Sequence, residues 1–146
     1  MSRDHDRGMR AVARVREVRE RDSRIGLLQA LTTVRLREQE LESLLTALEE
    51  ATQRVDGDLD DFVVSRRLLT GMAAGVRAAE NRLEGSRTVA AEAHARWQAD
   101  KARVRAIEQL LERRAARRAE EESRAEVREV DDIVGRLQAR AGAVIA

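Results

Sequence analysis

Asp56, Asp58 and Asp60 stand at alternate positions, the spacing at which an EF-hand loop presents its first three oxygen ligands to calcium. The sixth position of such a loop needs glycine for a sharp turn, and here it is Asp61. The twelfth needs a bidentate glutamate, and here it is Arg67. The cage does not close, so no metal is expected. His5 and His94 are the two histidines and there is no cysteine, which leaves a zinc tetrahedron or a histidine-based triad without its parts. Adjacent carboxylates such as Glu120-Glu121 and Asp131-Asp132 point about 100° apart on a helix and do not converge as an acid and a base must. No glycine-rich phosphate loop is present. The chain reads as a non-enzyme with no catalytic residue and no cofactor.

One basic run is Arg103, Arg105, Arg113, Arg114, Arg117 and Arg118, and the chemistry such a run offers is phosphate contact. Glu108, Glu112 and Glu120 interrupt it, and Trp97 is the only nearby ring on which a base could stack. The whole chain carries 28 basic and 27 acidic residues, a net charge of +1, so no large single-sign field exists to draw nucleic acid. These arginines read as solvated faces and ion-pair partners, and nucleic acid is not expected as a ligand. A nucleic-acid binder using Arg103 to Arg118 is the competing reading.

The elements that carry these residues follow from an apolar period of seven. From Leu27 the steps are Val34, Leu41, Leu48, Val55, Phe62, Leu69, Val76, Leu83, Ala90, Trp97, Val104 and Leu111, all apolar. The second core position of each repeat is filled by Ala30 or Leu31, Leu44 or Leu45, Ala51, Leu59, Met72, Ala79, Ala93 and Ile107. It is weak at Arg37, Ser65, Ser86 and Asp100. Val12, Val15, Val18 and Ile25 continue an apolar stripe upstream, with Glu17 to Arg21 and Glu20 to Arg24 in the favourable i, i+4 order. Trp97 falls on the stripe and is expected in the core; His94 is expected to face solvent.

Composition agrees. There is no proline, charged residues make up 38 % and aromatics 1 %, which is the chemistry of long helices with a narrow buried stripe. The first eight residues hold no apolar signal region and no eighteen apolar residues run together, so neither a secretion signal nor a membrane span is expected. Cytoplasm is the expected compartment.

A single helix through the whole stripe would be about 200 Å long at about 1.5 Å per residue, so a break is expected. Asp56-Gly57-Asp58 supplies one: glycine tolerates a positive φ, and the acids suit the start of a following helix. The expected fold is all-α, two long helices forming an antiparallel coiled-coil hairpin within a single domain spanning 1–146. Helix one covers about 9–55, the turn about 56–60 and helix two about 60–140, with frayed ends. Facing residues have numbers summing to about 115, so helix two overhangs past about residue 106. A turn at Gly71 to Gly75 is the rival placement.

Two segments resemble the flagellar export protein FliJ family, a coiled-coil component of type III protein export. Near the start, Val12-Ala-Arg-Val15-Arg16-Glu17-Val18 is similar to the family's opening helix. Near the end, Trp97, Lys101, Val104, Ile107, Leu110, Glu112-Arg113, Glu122-Ser-Arg124 and Asp131-Asp132 follow the family's order. The resemblance covers nearly the whole chain. It implies a cytoplasmic, stalk-like coiled coil, peripheral to the inner face of the cell membrane, linking the hexameric flagellar export ATPase to the cytoplasmic domain of the export gate and escorting export chaperones. It further implies an ATPase-facing surface at Val12, Val15, Arg16, Arg113, Arg117 and Arg124. A gate-facing surface would fall on Glu40, Leu44, Ala47 and Ala51 of helix one and on Leu68, Met72, Gly75 and Ala79 of helix two, although this chain has small residues where the family often has aromatics. The alternative from another class is a general scaffolding coiled coil that dimerises through the 112–140 overhang.

Overall fold

The computed structural model describes residues 2–54 and 59–145, with the side chains of Ser2, Arg3 and His5 excepted. Two helices account for nearly all of it: α1, Ser2–Gln53, and α2, Leu59–Ile145. α1 starts before the expected Met9 and α2 runs beyond the expected residue 140, because Ala, Leu, Arg and Glu persist and no proline interrupts. α2 also passes unbroken through Gly71 and Gly75, so the rival turn is not taken. α1 closes on Arg54, whose backbone N–H donates to the Ala51 carbonyl at 3.3 Å. Asp60 and Asp61 occupy the first turn of α2, where carboxylates favour the positive end of the helix dipole. The expected turn at Asp56, Gly57 and Asp58 lies outside the described residues.

By its internal contacts the chain divides into two units, Val15–Ala102 and the pair Met1–Arg14 with Arg103–Ala146. In Val15–Ala102, α1 and α2 run antiparallel as a hairpin. Leu27, Val76, Ala79, Leu83 and Ala90 are its buried apolar residues, at 8 % exposure or less. Val34, Leu41, Leu44, Leu48 and Ala51 on α1, with Leu69, Met72, Ala93 and Trp97 on α2, are half-buried along the same line. This is the expected seven-residue stripe, resolved at its ambiguous points: Ala30 and Leu44 turn inward while Leu31 and Leu45 remain 42 % and 45 % exposed. The seam is thin, and small side chains occupy it at Ala79 and Ala90.

The pairing register differs from expectation. Glu20 meets Trp97, Ser23 meets Asp100, Glu38 meets Arg87 and Glu40 meets Arg82, so facing numbers sum to 117–125 and not to about 115. The reason is at the start of α2. Leu59 to Val64 are all exposed, so pairing begins only at Ser65 and Leu69.

In the other unit, the beginning of α1 packs on α2 through Asp6, which is 5 % exposed and ion-paired to Arg114 at 3.6 Å and to Arg118. α2 is therefore covered as far as Arg118 and not to about residue 106. Every described residue from Ala119 to Ile145 is exposed.

Candidate interaction surfaces

Within Val15–Ala102 the seam changes character along its length. Around Leu27 to Ala51 it is apolar, and at Glu20, Ser23 and Asp100 it turns polar. The Trp97 indole Nε1 donates to Glu20 Oε1 at 2.8 Å, and the Ser23 hydroxyl donates to the Asp100 carboxylate. Lys101 Nζ stands 4.8 Å from the Trp97 ring centroid, a cation–π contact, and the His94 ring meets Trp97 edge-on at 6.0 Å. Trp97 is half-buried on the stripe as expected, and His94 is exposed. Asp100, a weak point of the repeat by sequence, is 8 % exposed and retained in the seam through hydrogen bonding.

Val15, Val18 and Ile25 do not continue this seam. They are 47–54 % exposed and lie on the outside of α1 with Leu28 and Leu36. In the other unit Val12, 47 % exposed, also faces out, while Asp6 and Ala13 turn inward. Stepping back by seven from Leu27 lands on Glu20, Ala13 and Asp6, and that is the sequence signal that finds the inner face. Apolar character alone points to the wrong one.

The residues of the expected gate-facing surface lie close together in the Val15–Ala102 hairpin, mostly along its seam. Ala79 is 1 % exposed; Leu44, Ala47, Ala51, Met72 and Gly75 are half-buried; Leu68 stands clear at 59 %. Glu40 joins the two helices, accepting from Arg37 at 3.0 Å on its own helix and from Arg82 at 2.7 Å on the other. Hydrogen bonding from Arg37 and then Arg82 holds the Glu40 carboxyl below the usual glutamate value.

The residues of the expected ATPase-facing surface fall in both units. Val15 is exposed and Arg16 half-buried in Val15–Ala102. Val12, Arg113, Arg117 and Arg124 are exposed in the other unit, with Arg124 ion-paired to Glu120 one turn before it. Of the resemblance positions, Trp97 and Lys101 touch each other, Leu110 is 39 % exposed, and Glu122, Asp131 and Asp132 face solvent. Beside Asp6 an open groove of about 900 Å³ is lined by Arg7, Arg10 and Arg14 on one side and by Glu121 and Glu122 on the other. Its charges are mixed, so it selects no ion of one sign. No cluster of histidine or carboxylate side chains able to hold a metal occurs among the described residues.

An antiparallel pair of long helices with a thin seam and apolar residues along its outside belongs to the class of coiled-coil hairpin proteins. The family model described as Flagellar FliJ protein matches residues 6–143, nearly the whole chain, and the chain belongs to that family. Its role accordingly lies in flagellar protein export, as a structural component of the export apparatus. No curated protein and no solved structure matches the chain. No described helix is long and apolar enough to cross a membrane.

Proposed function

We propose that this chain is a non-enzymatic, stalk-like component of flagellar export that links the hexameric export ATPase to the cytoplasmic domain of the export gate and escorts export chaperones. It works in the cytoplasm against the inner face of the cell membrane. The observation that carries the reading is the family match over residues 6–143. The residues assigned to the ATPase are Val12, Arg113, Arg117 and Arg124 in one unit and, separately, Val15 and Arg16 in the other. Exposed arginines suit carboxylate partners, since guanidinium groups make bidentate pairs.

The gate-facing surface comprises Glu40, Leu44, Ala47, Ala51, Leu68, Met72, Gly75 and Ala79. Leu68 is its most exposed side chain, and half-buried Met72 and Leu44 flank the same seam. Ala79, at 1 % exposure, belongs to the inside of the seam beneath this surface.

Purified chain is to be titrated against the flagellar export ATPase and, separately, against the cytoplasmic domain of the export gate. Arg117→Glu weakens the first interaction and spares the second, and Leu68→Asp does the reverse. Absence of binding to the ATPase by the unmodified chain refutes the linking role.

A further inference from the structure

The exposed end of α2 carries an apolar repeat of its own. Val127, Val130, Val134, Leu137, Ala141 and Val144 follow spacings of three, four, three, four and three, the core pattern of a coiled coil. All are exposed, the valines and Leu137 by 44 % at Val134 to 86 % at Val144. Ile133 and Ile145 widen the stripe at its flanks.

This stripe is not an extension of the seam that α1 covers. Continuing that seam by its own period past Arg118 lands on Glu121, Ala125, Arg128, Asp132 and Gly135, which are mostly polar. Val127 is nine residues beyond Arg118, about 180° round the helix. The apolar face therefore belongs to a different partner helix.

We propose that the partner is a second copy of the same segment, packed antiparallel about a two-fold axis between Val134 and Leu137. The stripe is complementary to its own reverse. Val127 then faces Val144 of the second copy, Val130 faces Ala141 and Val134 faces Leu137, six layers each containing a β-branched side chain. The flanking charges choose the direction. A parallel pair sets Glu126 against Asp131 of the other copy on both sides, and like charges at those positions oppose pairing. The antiparallel pair instead sets Asp131 beside Gln138, Ile133 beside the Arg140 stem and Arg124 beside Ile145, with no acid against an acid. The inference does not rest on the linking role proposed above, and the two readings share one residue, Arg124.

The test uses the full chain. Sedimentation equilibrium up to about 100 µM gives a concentration-dependent dimer, and Leu137→Asp weakens its association at least about tenfold. Direction is read with cysteines, which the chain otherwise lacks. Under mild oxidation, a mixture of Val127→Cys and Val144→Cys chains forms the mixed disulfide, since a disulfide needs Cα atoms about 4.4–6.8 Å apart. Val127→Cys alone forms little, because its two copies lie about 25 Å apart along the axis. A disulfide from Val127→Cys alone with none from the mixture overturns the antiparallel arrangement. A chain that remains monomeric, or a dimer indifferent to Leu137→Asp, overturns the proposal. So does a monomer whose export-ATPase binding is lost with Leu137→Asp, which assigns the stripe to that protein instead.

Discussion

Trp97 donates its indole N–H to Glu20 across the helix pair at 2.8 Å, at the place where the seam passes from apolar to polar. The ring is half-buried, and its one polar atom is satisfied by a carboxylate on the inner face of α1. Lys101 over the ring and Glu20 at its edge bracket the indole with opposite charges.

Trp97→Phe keeps most of the packing and removes the donor, so Glu20 is left half-buried without its partner. A loss of about 1–2 kcal/mol is expected from urea unfolding followed by circular dichroism. Glu20→Gln retains an acceptor and is expected to cost less than Trp97→Phe. The reverse order removes the hydrogen bond as the cause.

Glu40 sets an acid dependence. Its carboxyl lies below the ordinary glutamate value because Arg37 and Arg82 hydrogen-bond the ionised form. A carboxyl with a lowered folded-state pKa stabilises the fold above the unfolded-state value, and that contribution is lost as pH falls through the folded value. The stability difference between the natural chain and Glu40→Gln is therefore present at neutral pH and shrinks on acidification below the usual glutamate range. Arg82→Met raises the Glu40 pKa in a carboxyl-carbon NMR titration. High salt reduces the effect, since the pair is exposed.

Ala79 leaves no room for a larger side chain. At 1 % exposure it is the most buried residue of the seam, and Ala79→Leu is expected to destabilise the hairpin by about 1–3 kcal/mol through overpacking. Leu83→Ala, also in the seam, costs about 2–5 kcal/mol. Leu68→Asp, at an exposed site, stays within about 0.5 kcal/mol. Comparable losses at Leu68 and Leu83 in thermal unfolding contradict the seam as described.

Ser23 and Asp100 test whether the polar section of the seam favours stability. Ser23→Ala alone removes a donor from a buried carboxylate and is expected to cost about 1–3 kcal/mol. Ser23→Ala combined with Asp100→Leu replaces both partners by apolar groups and is expected to recover that loss. A double variant less stable than the single one points to further work for Asp100 in the seam.

The sequence by itself determined the two helices, their antiparallel pairing and the buried face of α2. A period of seven running from Phe62 to Leu111 with no proline can be satisfied by one helical face only, and the seam of α2 follows it from Leu69 to Leu111, while Phe62 at the start of the repeat is left exposed. Tertiary structure decided the rest. In α1, Val15, Val18 and Ile25 are the more hydrophobic choice, yet they face outward, because an unbroken helix keeps the phase set by Leu27, Val34, Leu41 and Leu48. That phase brings Glu20 and Ser23 onto the inner face, where Trp97 and Asp100 supply partners that no local pattern in α1 reveals. The register was likewise decided in three dimensions: the seven-residue repeat permits shifts by whole repeats and fixes the face but not the height. The exposed opening turns of α2, from Leu59 to Val64, and the clasp of Asp6 on Arg114 and Arg118 set how far α2 remains covered.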